Sequence, residues 1–220
     1  MAAEDLSAAD RSSLQAERGP VNMAVAAPLV FERGPGTTYD AVAERVAARL
    51  HLIPRYRQKL ADPAFGMANP VWIDDDAFDL HWHLRHGTLP APGTAAQLAD
   101  YVAREMSRRL DRSRPLWELH VIDGLEGDRV ALLPKMHHAL VDGVAAIGIG
   151  MVLLDPTPEP MPIAPPEDGW APRTFDRRRH LAKLAATPLM RTQKLLVDST
   201  DLSGHIGIGS NRGYTPRSFC

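Results

Sequence analysis

The chain has 220 residues, of which 45% are hydrophobic and 24% are charged, and its formal net charge is −2. This composition is typical of a globular protein with one large domain, or one domain and an appendage. The slight negative charge argues against a nucleic-acid-binding protein, because no surplus of Lys and Arg is available to neutralise phosphates. The only cysteine is Cys220, so we expect a reduced, cytoplasmic chain without an internal disulfide.

Neither a secretory signal nor a membrane-spanning helix is predicted. The first twenty residues are polar and acidic and contain no apolar core. The longest apolar run, Val144–Leu154, has 11 residues, whereas a helix that spans a bilayer needs about 20. We therefore expect this run to form a buried helix.

The first quarter of the chain is predicted to contain an arm, a strand and a helix. Residues 1–20 form an irregular or partly helical arm, and residues 21–31 are apolar and β-prone up to a Gly-Pro-Gly turn. Thr37 and Asp40 resemble a capping box. Apolar residues then recur every three or four positions until Pro54, which predicts an amphipathic helix.

The next segment alternates between loop, strand and helix. Residues 54–76 are predicted to be mostly loop, with a short strand around Val71–Ile73, and Phe78–Arg85 is predicted to be a strand. After a Pro-rich turn, Thr94 and Gln97 are predicted to cap a second amphipathic helix.

Two further strands and a helix complete the predicted first domain. The strands cover Leu116–Ile122 and Arg129–Met136, and the helix runs from about Gly143 to Leu154. Alternating strands and helices predict an α/β domain, or an α+β sandwich, which we place at residues 1–154.

The composition changes after this domain. Residues 155–172 contain seven prolines, which is typical of an extended linker, and we place the linker at residues 155–173. Residues 174–220 are predicted to be a basic helical segment, kinked or broken at Pro188, followed by a disordered tail. A solvated helix and a helix that contacts anionic lipid both remain open for the basic segment.

The heptad His137-His-Ala-Leu-Val-Asp-Gly143 directly follows the last predicted strand. Neighbouring residues of an extended chain point to opposite faces, so His137 and His138 should have different roles. A neutral imidazole at a strand end can take a proton from a hydroxyl that attacks a carbonyl. Asp142 can also cap the following helix. We favour a general base over structural histidines and over a metal site, since no third and fourth ligand is evident nearby.

Other polar clusters give weaker signals. His81 and His83 would share one face of a strand, a spacing that also occurs at metal sites, but packed strand residues are the favoured interpretation. Residues 74–76 are three aspartates, which predict a solvated loop or a helix cap. The sequence contains neither a Gly-rich phosphate loop nor a Gly-x-Ser-x-Gly elbow, so a covalent serine mechanism is unsupported.

The heptad is similar to the HHxxxDG signature of the CoA-dependent acyltransferases. That superfamily includes chloramphenicol acetyltransferase-like enzymes, peptide-synthetase condensation domains and bacterial wax ester synthase/diacylglycerol acyltransferases. Residues 110–125 resemble the PLW motif of the last branch and its flanks, with Pro115, Leu116 and Trp117 as the motif itself. Residues 78–93 resemble a strand and turn of the same branch.

This resemblance implies a chloramphenicol acetyltransferase-like domain that transfers a long-chain acyl group from acyl-CoA, as substrate, to a hydroxyl. The acceptor would be diacylglycerol, which gives triacylglycerol, or a long-chain alcohol, which gives a wax ester. His138 would be the general base and His137 a supporting residue. Asp142 would fix the loop and Gly143 would permit its turn. The attack would be direct, without an acyl-enzyme, and neither a cofactor nor a metal is implied.

The resemblance covers about residues 5–157. The branch has a second, similarly built domain with an Asn-Asp motif, and here Asn211 is followed by Arg212. We therefore expect an N-terminal half with the second domain absent. Open alternatives are an active half that self-associates or pairs with a C-terminal-half protein, a non-catalytic remnant or pairing module, and a condensation-type transferase. Peripheral contact with a membrane or lipid inclusions is a further expectation.

Overall fold

The chain divides into two compact units, residues 1–175 and 176–220. The computed structural model describes residues 3–62, 69–140, 163–164, 169–182 and 184–186. In the second unit, residues 177–182 and 184–186 are helical, which agrees with the helical tendency predicted for the basic segment. The helix predicted after the heptad, Pro188 and most of the Pro-rich linker lie outside the described residues.

The described elements of the first unit alternate between strands and helices, as expected for an α/β sandwich. In chain order they are β1 (Ala3–Asp5), α1 (Ala8–Ala16), β2 (Ala24–Ala26), β3 (Leu29–Glu32), α2 (Tyr39–Arg49), β4 (Gln58–Ala61), β5 (Val71–Asp74), α3 (Leu80–His83), β6 (Leu84–Thr88), α4 (Ala95–Ser107), β7 (Trp117–Leu125) and β8 (Arg129–His137). Short 3-10 turns flank α2, at Pro35–Thr37, Leu50–Leu52 and Pro54–Arg57.

The strands form two sheets. The larger sheet has the order β2-β8-β7-β6, and β3 also pairs with β8. Its only parallel pair among the described strands is β6 with β7, and the other pairs are antiparallel. The smaller sheet is antiparallel and has the order β1-β5-β4.

The central strands β7 and β8 of the larger sheet are buried on both faces. Side chains alternate between the two faces along each strand. Val121 and Leu132 belong to the main core cluster, which includes apolar residues of α1 and α2. Ile122 and Leu133 belong to a smaller cluster with Leu98 of α4. Burying each such side chain contributes roughly 1.5–3 kcal/mol, so packing on both faces fixes the register of β7 and β8.

The strongest sequence signals are confirmed. The strands predicted over Leu116–Ile122 and Arg129–Met136 are β7 and β8, and the apolar run after residue 20 forms β2 and β3. Thr94 and Gln97 form a capping box at the start of α4, in which Thr94 N–H donates to Gln97 Oε1 at 2.7 Å.

The cap predicted for α2 is displaced by one residue. Thr38, rather than Thr37, is the N-cap, and its side chain accepts a hydrogen bond from Ala41 N–H at 3.2 Å. Thr37 instead closes the preceding 3-10 turn, where its Oγ1 accepts a hydrogen bond from Gly34 N–H at 2.9 Å. Either of the two adjacent threonines could cap a helix. Thr37 caps the 3-10 turn, so Thr38 is left to cap α2.

The strand predicted over Phe78–Arg85 is wrong except for its last two residues, Leu84 and Arg85. Asp79 Oδ1 accepts a hydrogen bond from His81 N–H at 2.9 Å, which caps the helical turn α3, and the strand β6 begins only at Leu84. His81 and His83 therefore do not share a strand face: His81 is exposed, whereas His83 is buried. The strand β4 was not predicted.

The prediction of a solvated loop or a helix cap at residues 74–76 is wrong for Asp74 and Asp75, which are buried, whereas Asp76 is exposed. The Arg173 guanidinium donates to both oxygens of Asp74 at 2.8 and 2.9 Å. These hydrogen bonds lower the pKa of Asp74 to about 2. Lys59 Nζ donates to Asp75 at 2.7 Å. The tertiary partners, which the local sequence does not reveal, explain the burial.

A close backbone contact joins the turn before α4 to the end of β7. Gly93 has a φ of +74°, and a Cβ placed on it would lie 1.8 Å from the carbonyl oxygen of Gly124. Glu126 N–H also donates to Gly93 O at 2.9 Å. A side chain at this position would therefore separate two hydrogen-bonded segments.

We expect Gly93→Ala to lower the free energy of unfolding by roughly 1–3 kcal/mol, from the left-handed backbone and the clash. Gly34→Ala is the matched control, because Gly34 has a φ of −161° and no heavy atom within 4 Å of an added Cβ. Urea unfolding of both variants measures the difference. Equal free energies of unfolding for the two variants would contradict the close contact between Gly93 and Gly124.

Candidate functional site

The heptad and the PLW motif lie side by side at one end of the larger sheet. His137 is the last residue of β8, and Trp117 is the first residue of β7, where it pairs with Met136. His137 N–H donates a hydrogen bond to Leu116 O at 3.0 Å. Two motifs about twenty residues apart in sequence are therefore joined by backbone hydrogen bonding.

The PLW motif is a rigid, buried support. Pro115, Leu116 and Trp117 are buried. Trp117 Nε1 donates to Tyr56 O at 2.9 Å, and His83 Nδ1 lies 2.8 Å from Trp117 O. The indole lies between the rings of Tyr56 and His83, with both ring centroids 4.5 Å away. Ring stacking and two hydrogen bonds thus fix the strand on which His137 depends.

His137 is a buried, neutral imidazole. Its side chain is 1% exposed, and burial lowers its pKa. Ala139 N–H donates to His137 Nδ1 at 2.9 Å. Because Nδ1 accepts a hydrogen bond, the ring proton of the neutral form resides on Nε2. Nε2 is buried without a hydrogen-bonding partner among the described residues, and it lies 3.6 Å from Glu17 Oε2.

Glu17 is a site residue that the sequence did not reveal. Its side chain is 2% exposed, although it comes from the arm before β2. Arg112 Nη2 donates to Glu17 Oε2 at 2.9 Å, and Met23 N–H donates to Glu17 Oε1 at 3.2 Å. Burial acts to raise the pKa of Glu17, but the hydrogen bonds from Met23 and Arg112 outweigh it and the pKa is lowered. Glu17 is therefore a buried anion.

His138 lies in the opposite environment, as predicted for a neighbour in extended chain. Its side chain is exposed, while its N–H donates to Met23 O at 2.8 Å. Met23 thus donates to Glu17 and accepts from His138. The backbone of His138 is therefore linked through Met23 to the buried Glu17, and its imidazole is exposed.

The remaining predicted site residues, Asp142 and Gly143, lie outside the described residues, and their roles stay predictions. The described residues contain no group of three or more His, Cys, Asp or Glu side chains arranged to hold a metal ion. None of the described helices is long and apolar enough to cross a bilayer.

The fold defines a class of protein. The first unit is similar to a wax ester synthase/diacylglycerol acyltransferase from Marinobacter aquaeolei VT8, with 34% identity and a TM-score of 0.56, over 66% of this chain and 37% of that one. The starter condensation domain of rhizomide synthetase RzmA has a TM-score of 0.54 at 16% identity, over 69% of this chain and 34% of that one. The fold is that of the CoA-dependent acyltransferases.

Sequence comparison narrows the class to a family. Residues 6–203 match the wax ester synthase/diacylglycerol acyltransferase catalytic domain, and the chain belongs to this family. A relative named as a probable diacylglycerol O-acyltransferase, tgs3 of Mycobacterium tuberculosis H37Rv, is 47% identical over 168 residues, which are 76% of this chain and 61% of the relative. A second, tgs1 of the same strain, is 43% identical over 57% of this chain and 27% of the relative. The chain therefore spans less than two thirds of the length of these relatives.

We expect Arg112→Met to lower the free energy of unfolding by about 2–3 kcal/mol, because it leaves the buried Glu17 carboxylate without its cation. The double variant Glu17→Gln with Arg112→Met should lose less, since no charge then remains buried. Arg108→Met is the control: Arg108 forms an exposed pair with Glu105 at 3.0 Å, which is worth at most about 1 kcal/mol.

The effect of Arg112→Met should depend on pH. The lowered pKa of Glu17 gives stability that is fully present above the unfolded pKa of 4.5 and is lost as the pH falls through the lower folded pKa. The difference between wild type and Arg112→Met should therefore shrink below pH 4.5. Urea titrations across this range measure it. A constant difference would contradict a charged Glu17.

Proposed function

We propose that this chain carries the histidine site of an O-acyltransferase that moves a long-chain acyl group from acyl-CoA to a hydroxyl. The observation that carries the proposal is the exposed His138 side chain on a backbone that is hydrogen-bonded to Met23, which itself donates to the buried Glu17, in a chain of the wax ester synthase/diacylglycerol acyltransferase family. The fixed backbone limits the freedom of the imidazole, and a positioned base is the requirement of general base catalysis.

In the proposed reaction, His138 accepts the proton of the acceptor hydroxyl as its oxygen attacks the thioester carbonyl. The tetrahedral intermediate then collapses, the carbon–sulfur bond breaks, and the imidazolium of His138 returns the proton to the departing CoA thiolate. The ester and free CoA are the products, and no bond to the protein forms. His137 cannot take this role, because it is buried and its Nδ1 is engaged by Ala139 N–H.

The acceptor class follows from the relatives. Those at 47% and 43% identity are named as probable diacylglycerol O-acyltransferases, and the Marinobacter protein is named as a wax ester synthase/diacylglycerol acyltransferase. We therefore propose diacylglycerol as the acceptor, with a long-chain alcohol as the alternative substrate. The relatives extend beyond the matched region, so we propose that a segment corresponding to their remainder completes the site, whether it belongs to the same protein, to a C-terminal-half partner or to a second copy of the chain.

We expect His138→Ala to lower the rate of acyl transfer by about 10²–10⁴-fold, the usual contribution of a general base. The assay measures CoA release from palmitoyl-CoA with a thiol reagent, with and without dioleoylglycerol. The chain itself contributes only the thiol of Cys220 to the background. Far-ultraviolet circular dichroism checks that the variant is folded.

Three comparisons make this assay decisive. His138→Ala with an unchanged rate would exclude the proposed base. Palmitoyl groups on acyl carrier protein, used as donor in place of palmitoyl-CoA, should react poorly, and the opposite preference would indicate a condensation-type transferase. The chain is assayed across a concentration series, because a rate that rises with the square of concentration indicates self-association at the site. No transfer at any concentration would exclude activity of the chain alone.

We also propose peripheral contact with lipid through the basic segment of the second unit. Residues 177–179 are three consecutive arginines in its helical part, and each cation near an anionic surface contributes about 1 kcal/mol. The full chain should float with phosphatidylserine vesicles at low salt and release at high salt. Changing these arginines to Gln should abolish flotation, and flotation unchanged by the three substitutions would exclude the segment.

A further inference from the structure

A cleft of about 650 Å³ lies in the first unit, on elements that do not carry the histidine site. This volume is typical of pockets that bind small molecules. Its walls are the end of α2, the start of α3, the 3-10 turns between α2 and β4, and residues Ile163 and Trp170 of the Pro-rich linker. Most of the lining is apolar: Ala47, Ala48, Leu50, Phe78, Leu80, Ile163 and Trp170.

The cleft contains one arginine without a hydrogen-bonding partner among the described residues. Arg57 is half-buried, and its Nε is buried and unpaired. Its guanidinium lies over the indole of Trp170, with 4.6 Å between the guanidinium carbon and the ring centroid. Such stacking holds the guanidinium plane and leaves its in-plane N–H groups available as donors. Leaving these donors unpaired in a half-buried position is costly.

The carboxylates nearby are already engaged. Asp74 acts on Arg57 through its charge, but its oxygens accept hydrogen bonds from Arg173 and Gln58. Asp79, at the exposed edge of the cleft, accepts the capping hydrogen bond of α3 from His81 N–H. The third polar group of the lining is His51. Among the described residues no acceptor for Arg57 is left, so the cleft can offer its guanidinium to the carboxylate of a ligand.

We propose that this cleft binds a long-chain fatty carboxylate, with its carboxylate on Arg57 and its chain along the apolar lining. The aliphatic side chains of α2 and α3 match a flexible alkyl chain, and a carboxylate has the planar pair of acceptors that a guanidinium binds in a bidentate way. The site is built by residues separate from His138, so it does not depend on the acyltransferase activity proposed above.

The test is displacement of a dansyl-labelled fatty acid from the purified full chain by palmitate. Arg57→Met keeps the side-chain volume and removes the charge, and it should weaken palmitate binding about tenfold, the value of one charge-assisted hydrogen bond. Asp79→Asn keeps a capping side chain and removes a negative charge that repels the carboxylate of palmitate. This variant should therefore bind palmitate a few-fold more tightly. Arg104→Met is the matched control, because Arg104 also lies over a ring, that of Tyr101 on α4, outside the cleft.

Two further comparisons separate the head group from the chain. Hexadecanol lacks the carboxylate, so it should displace the labelled fatty acid from wild type only weakly. It should displace the label from Arg57→Met equally weakly. Ala48→Trp fills the cleft from an exposed position of α2 and should weaken both ligands. The proposal is overturned if wild type does not bind palmitate, if Arg57→Met binds it as wild type does, or if Ala48→Trp has no effect. His138→Ala should bind palmitate as wild type does. Loss of acyl-transfer activity alone would therefore not contradict the proposed fatty-carboxylate cleft.

Discussion

The buried carboxylate of Glu17 is the charge on which the histidine end of the sheet depends. An ionised carboxylate cannot be buried without partners, because the loss of hydration costs several kcal/mol. Glu17 has Arg112 and Met23 N–H as hydrogen-bonding partners, with the ring of His137 beside them. Satisfying one charge therefore fixes the arm, the start of β2, the loop before β7 and the end of β8 relative to one another.

A second buried charge lies on β8, two residues before His137. Lys135 is 1% exposed, and its Nζ donates to Glu105 O at 2.8 Å and to Arg108 O at 2.7 Å. These are carbonyls at the end of α4, where a cation is favourable. Asn22 Nδ2 donates to Met106 O in the same turn, at 2.7 Å. Asn22 is thus hydrogen-bonded to the end of α4, and the next residue, Met23, is hydrogen-bonded to Glu17 and His138.

The sequence predicted what local patterns determine. Apolar periodicity and caps located α4, β7 and β8, and alternation along an extended chain separated the environments of His137 and His138. These features depend on neighbours within a few residues. The pairing at Glu17 could not be predicted in this way, because its partner Arg112 is 95 residues away.

The incorrect sequence predictions also result from partners that are distant in the sequence. Residues 74–76 suggested a solvated loop because a run of carboxylates is usually hydrated, but Arg173, 99 residues away, compensates Asp74. The alternation around His83 suggested a strand, but the side chain of Asp79 caps a helical turn there and the stacking of His83 on Trp117 buries it. Tertiary partners override the local preference in both cases.

The separation of Glu17 from its partners has a consequence for folding during synthesis. The ribosome makes Glu17 well before Arg112, and His137 later still, so the nascent arm carries a carboxylate whose cationic partner in the folded chain has not yet been made. That arm must stay hydrated and undocked until β7 and β8 have left the ribosome, because non-local contacts close only after both partners exist. The end of the sheet that bears His138 can thus form only after β8 has been made, although its arm is among the first residues of the chain.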